Sequence, residues 1–68
     1  MTAIKILSKK GDTTLVLSVE EAQQVVEEEW KKGRMVYDED EKRIVEKATM
    51  GQIRADSKLI SVPFVAGG

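Results

Sequence analysis

The residues whose chemistry stands out lie at the end of the sequence, where Val62 and Pro63 lead through Phe64, Val65 and Ala66 into Gly67 and Gly68. Glycine has no Cβ, so a backbone that ends in two glycines can pass through a channel too narrow for side chains. Proline cannot donate a hydrogen bond to a neighbouring strand, so Pro63 is a natural point for a strand to stop. This ending predicts a narrow C-terminal tail that is bound by another protein.

Side-chain chemistry is restricted by composition. The chain has no histidine and no cysteine, which excludes Ser-His-Asp triads, Cys-His pairs and histidine-bound metals. The carboxylates of Glu27, Glu28 and Glu29 are expected on the wet side and edge of a helix, with lysines at i+4 available as partners. No nucleophile and base are placed together, so the sequence does not predict an enzyme.

A short acidic run raises the question of a metal site. Asp38 and Asp40 are spaced like the first two ligands of an EF-hand calcium loop, but the glycine and the distal glutamate of that loop are missing. A solvated hairpin turn is therefore the favoured interpretation, with no metal and no cofactor.

Length and charge limit the class of protein. With 68 residues the chain can form one small domain, and 41% hydrophobic with 34% charged residues is typical of a globular protein. The 11 basic and 12 acidic residues are interspersed, which argues against nucleic acid or an anionic membrane as partner. The sequence shows neither a signal peptide nor a membrane span, so a cytoplasmic location is expected.

The first half of the chain predicts a hairpin and a helix. Ile4 and Ile6 alternate with Lys5, as in a half-buried strand, and Gly11 suits a tight turn into residues 13–17, where Leu15 and Leu17 would share the buried face. Residues 18–21 (Ser-Val-Glu-Glu) form a capping box at the start of a helix, and a glycine at position 33 closes it. Its apolar stripe consists of Val19, Ala22, Val26 and Trp30, with Val25 at the edge. Trp30 is expected to anchor the core, with a partner-binding role as the alternative.

The second half predicts strands at residues 34–37, 42–48 and 59–62, joined by the acidic turn and by an ordered loop at residues 49–57. In that loop Met50 and Ile53 are expected to close the end of the core. The last strand is apolar enough to lie in the centre of the sheet.

Together these elements predict an α+β domain over residues 1–62, in the order ββαβββ, followed by a flexible Gly-Gly tail over residues 63–68. One helix would pack on a mixed sheet with the first and last strands side by side, which is the β-grasp arrangement. Met35, Tyr37 and Ile60 form a candidate partner face. If Val16, Val36 and Ile60 also point outward there, the open sheet face would form an apolar patch.

The ending from Pro63 to Gly68, with the strand before it, resembles the tails of ubiquitin-like β-grasp proteins. The groups with similar tails are the sulfur carriers of molybdopterin and thiamine biosynthesis and the archaeal small modifiers. Among them, the tail of the molybdopterin synthase small subunit is most similar. Those molybdopterin carriers usually have two adjacent prolines before the valine, whereas Phe64 stands in the second position here.

The resemblance implies that a partner adenylating enzyme uses ATP to activate the Gly68 carboxylate. The acyl group would then pass to sulfur as a thiocarboxylate, or to a lysine of an acceptor protein as an isopeptide. The alternative is a small non-catalytic binding or structural module, such as a phage or host protein, that acts through its open sheet face.

Overall fold

One α-helix lies across one face of a five-stranded mixed sheet in the computed structural model of this chain, which describes residues 1–63. The predicted α+β class is confirmed. The elements are β1 (Thr2–Ile6), β2 (Thr13–Leu17), α1 (Val19–Lys31), β3 (Arg34–Asp38), β4 (Arg43–Ile44), a 3-10 helix (Lys47–Gln52) and β5 (Lys58–Pro63).

The strands are arranged in the order β2-β1-β5-β3-β4. β5 therefore occupies the centre, parallel to β1 on one side and antiparallel to β3 on the other. Ile4 of β1 and Val36 of β3 flank the centre of the sheet, where Leu59 and Ser61 of β5 are buried beneath the helix. The strand that leads into Phe64–Gly68 is thus held on both sides.

The helix begins and ends where the sequence predicts. Ser18 is extended, with φ −66° and ψ 161°, and its hydroxyl accepts a hydrogen bond from the Glu21 amide at 3.2 Å. The Glu21 carboxylate accepts in return from the Ser18 amide at 3.5 Å, which completes the capping box. Gly33 follows the helix with φ +77°, a conformation that side chains with a Cβ disfavour.

A single core fills the space between the helix and the sheet. The helix contributes Ala22 and Val26, and the half-buried Trp30 packs against the same cluster, as expected of an anchor. Met50 and Ile53 close one end, as predicted. The buried apolar residues are Ile4, Ala22, Val26, Val36, Val45, Ile53 and Leu59.

The predicted strand over residues 42–48 is wrong in its length. β4 contains only Arg43 and Ile44, because the next residues leave the sheet. Val45 still donates a backbone hydrogen bond to Val36 at 2.8 Å and buries its side chain, but Glu46 then begins a turn. The Thr49 hydroxyl accepts from the Glu46 amide at 2.9 Å, and the Thr49 amide donates to the Glu46 carbonyl at 3.0 Å, which bends the chain into the 3-10 helix.

The helices of residues 1–63 are too short and too polar to cross a membrane.

Replacing Gly33 by alanine is expected to lower the free energy of unfolding by about 1 kcal/mol, because alanine is strained at positive φ. No atom lies within 4 Å of an added Cβ, so the cost comes from the backbone alone. Gly51→Ala is the matched control, since Gly51 also has open space but an ordinary φ. Urea unfolding of both variants checks this, and equal stabilities would contradict the role of Gly33.

Candidate functional site

The sheet face turned away from the helix, called here the open face, carries apolar side chains from all five strands. The strand register brings Tyr37 opposite Ile60 and Met35 opposite Val62. Their neighbours along the strands, Leu59, Ser61 and Val36, point to the helix. The apolar members of the open face are Ala3, Val16, Met35, Tyr37, Ile44, Ile60 and Val62, with Lys5 and Lys58 among them.

The structure therefore brings together Met35, Tyr37 and Ile60, the three residues singled out as a candidate partner face. All three are half-buried by their neighbours, whereas Val16 is 60% exposed and Ile44 is 45% exposed at opposite edges of the sheet. The suggestion that Val36 also points outward is wrong. Val36 is fully buried, because alternation along β3 sends it to the face opposite Met35 and Tyr37.

Beyond the open face, the other candidate residues belong to the predicted tail. The assignment of Pro63 to the tail is wrong, because Pro63 is the last residue of β5, where it is exposed and lies opposite Arg34. The tail residues Phe64, Val65, Ala66, Gly67 and Gly68 lie outside the described residues.

A buried polar network lies beside the end of β5. Glu29 was expected on the wet side of the helix, but it is only 2% exposed. Its Oε1 accepts a hydrogen bond from the Ser61 hydroxyl at 2.7 Å and lies 3.1 Å from Arg34 Nε. Its Oε2 lies 3.2 Å from Nζ of Lys32, whose side chain is exposed. The expectation failed because Glu29 follows Val26 by three positions and so shares its buried helix face.

Arg34 connects this network to three strands. From the first position of β3, its Nε donates to the Ser61 hydroxyl at 2.9 Å and its Nη2 donates to the Ser61 carbonyl at 3.1 Å. Nη2 also donates to the carbonyl of Leu7, just beyond β1. Sequence reasoning did not single out Arg34. The available signal was an arginine directly after the helix-ending glycine, five positions from a glutamate on the buried stripe.

The network keeps Glu29 ionised. Burial alone would raise the pKa of its carboxyl, but the hydrogen bonds from Ser61 and Lys32 and the charges of Lys32 and Arg34 outweigh burial. The pKa of Glu29 is therefore lowered. The ionised carboxylate of Glu29 therefore lies next to β5, the strand that precedes residues 64–68.

The acidic turn between β3 and β4 serves a structural role. Asp38 is buried rather than solvated, and its Oδ1 accepts from the amides of Asp40 at 3.0 Å and Glu41 at 3.1 Å. Asp40 Oδ2 accepts from the Lys58 amide at 3.1 Å, which fixes the turn to the start of β5. Within residues 1–63 no three acidic side chains are grouped so that they could hold a metal ion.

Trp30 lies between two shallow grooves at the end of the helix. One is lined by Glu27, Lys31 and Lys47. The other is lined by Gly33, Arg34, Met35 and Ile44, and so connects the helix end to the border of the open face.

Comparison of the chain with protein-family models, with curated proteins and with solved structures finds no match.

Glu29→Gln is expected to lower the free energy of unfolding at pH 7 by about 2 kcal/mol. The substitution removes a buried, hydrogen-bonded carboxylate and leaves the guanidinium of Arg34 without its ion-pair partner. The folded-state pKa of Glu29 is below its unfolded value. Its contribution is therefore complete above about pH 4.3, the pKa of an unfolded glutamate, and is lost as the pH falls through the folded pKa.

Denaturant titrations between neutral and acid pH test this, with Glu28→Gln, an exposed neighbour on the same helix, as control. The stability difference between the wild type and Glu29→Gln should shrink as the solution becomes acidic. A difference that stays constant across the pH range would contradict the ionised network. Lys32→Ala should cost less than Arg34→Met, because Lys32 is exposed and Arg34 is largely enclosed.

Proposed function

We propose that this chain is a ubiquitin-like small modifier or sulfur carrier with a β-grasp fold, whose Gly68 carboxylate is adenylated by a partner enzyme. The observation that carries the proposal is the position of β5. The strand that leads into the Gly-Gly sequence lies at the centre of the sheet, paired with β1 and β3, and Pro63 is exposed at its end.

The attachment of β5 supports this role. Leu59 and Ser61 are buried, and Arg34 holds both the hydroxyl and the carbonyl of Ser61. A partner that binds residues 64–68 would therefore find the strand before them fixed relative to the rest of the sheet. The parallel pairing of β1 with β5 and the single helix on one face of the sheet also agree with a β-grasp domain.

The chemistry needs only the carboxylate from this chain. A carboxylate oxygen attacks the α-phosphorus of ATP and displaces pyrophosphate, which gives an acyl adenylate. A hydrosulfide ion or a lysine amine of an acceptor protein then attacks the acyl carbon, AMP leaves, and the nucleophile gives up a proton to form the thiocarboxylate or the isopeptide. The partner supplies the nucleotide, the metal and the nucleophile, and this chain is carrier and substrate without a cofactor of its own. The proposal requires a free carboxylate on Gly68, either as translated or after cleavage behind it.

A second candidate function is favoured by the open face, where Met35, Tyr37 and Ile60 are neighbours and Val16 and Ile44 are exposed at opposite edges. A non-catalytic module, such as a phage or host protein, would dock through Met35, Tyr37 and Ile60. In that case the tail would be dispensable.

The test is intact-mass analysis of the purified chain after incubation with ATP and a lysate shown to contain an active adenylating enzyme. A carrier should gain the mass difference between sulfur and oxygen, and a modifier should form conjugates with lysate proteins. Adding one alanine after Gly68 should abolish either product, because the reactive carboxylate moves off the glycine.

The matched control adds one alanine before Met1, which is 73% exposed, and it should react like the wild type. Absence of both products from the unextended chain, or full reaction of the chain extended after Gly68, would contradict the carrier proposal. Binding to a partner that is unchanged by the extension would favour the docking module.

A further inference from the structure

The two edges of the sheet are protected to different degrees. At one edge β4 has only two residues, one of them Arg43, and it follows Lys42, whose φ of +55° bends the backbone. Shortness, charge and a bend are the usual means of preventing a sheet edge from pairing with another chain. At the other edge β2 has five residues without a charge, a proline or a positive φ.

The outward hydrogen-bonding groups of β2 follow from the ladder. Ala3 and Leu7 donate their amides to Ser57 and Ser61, at 3.1 and 3.0 Å, so the odd-numbered residues of β1 face β5. The even-numbered residues of β1 therefore face β2, where their partners are Leu17, Leu15 and Thr13. The remaining two residues of β2, Thr14 and Val16, direct their amides and carbonyls away from the sheet.

We propose that β2 is a self-association edge, and that a second copy of this chain pairs with it antiparallel about a two-fold axis at Leu15. In this register all five residues of each β2 are paired, and Thr14 and Val16 exchange both backbone hydrogen bonds across the interface. Leu15 lies opposite its own copy, and Leu17 lies opposite Thr13. The half-buried side chains of Leu15 and Leu17 would become more buried by contact with the second copy.

The charges at the ends of β2 identify the occupant as a second copy. The turn before β2 is exposed and net positive, since Lys9 and Lys10 outweigh Asp12, whereas Glu20 and Glu21 are exposed in the first helical turn after β2. An antiparallel two-fold arrangement brings the basic turn of each copy to the acidic helix start of the other, twice. A strand that is neutral in its centre and oppositely charged at its two ends is complementary to itself.

The dimer would have one continuous sheet, with both helices on the same face and both open faces on the other. Because the two-fold axis makes the strands of the two copies run in opposite directions, the two β5 strands would end at opposite sides of the assembly. This inference concerns the β2 edge and does not depend on the chemistry of Gly68.

Sedimentation equilibrium of the full chain from micromolar to millimolar concentration is the test. The wild type should show a monomer–dimer equilibrium. Val16→Lys should raise the dimer dissociation constant about tenfold or more, because it places a charge on the paired edge, close to its own copy across the axis. Ile44→Lys is the matched control, since Ile44 is also exposed on the open face but belongs to the opposite edge, and it should leave the constant unchanged.

Amide exchange of the unmodified protein gives an independent measurement that needs no variant to fold. The amides of Thr14 and Val16 should exchange slowly at high concentration and quickly at low concentration. A monomer at millimolar concentration would overturn the proposal. So would a dimer that a folded Val16→Lys variant retains, or one in which these two amides exchange quickly.

Discussion

The buried contact between Glu29 and Arg34 is the interaction on which the rest of the structure depends. Charges taken out of water are costly unless each polar atom finds a partner. That requirement is met within the described part of the chain, where no buried side-chain polar atom is left without a hydrogen bond. Satisfying Glu29 and Arg34 together requires the end of the helix, the start of β3, Ser61 of β5 and the carbonyl after β1 to meet at one place. Apolar side chains alone would tolerate small shifts of the helix on the sheet, whereas this network specifies one position.

One helix can cover only one face of a sheet, and this constraint shapes the surfaces that are left. The helix side contains the core and the ionic network, while the other side keeps Met35, Tyr37 and Ile60 in a continuous apolar layer. The acidic turn, which looks like a ligand site in sequence, is used to fix the start of β5 through Asp40. The strand before the tail is thus secured at its start by Asp40 and near its end by Arg34.

Short sequence patterns predicted an element correctly where its boundaries depend only on its own residues. Ser18 and Glu21 predict the start of the helix, Gly33 predicts its end, and the alternation around Ile4 predicts the first hairpin, since these patterns depend on near neighbours. The predictions from sequence failed where a second set of contacts, some local and some between residues distant in the sequence, competes with the simple pattern. Helix periodicity alone places Glu29 on the same face as Val26, but its charge is satisfied there by Arg34 and by Ser61, which is remote in sequence. β4 is short because Thr49 and Glu46 bond to each other in a turn, although Val45 continues the strand pattern and its side chain remains in the core. Alternation along β3 places Val36 on the face opposite Met35 and Tyr37, and its burial shows that this is the helix side of the sheet.

The parallel pairing of β1 with β5 has a consequence for biosynthesis. β1 is the first of the described strands along the chain and β5 is the last, yet β5 forms the centre of the sheet. Until it emerges, the nascent hairpin and helix have Ile4 and Val26 without Leu59 to cover them, so folding depends on a pairing between distant segments and cannot finish early. The strand that completes the domain is followed directly by residues 64–68. Closure of the domain therefore waits for β5, and a nascent chain exposes this part of its core to chaperones until that strand is available.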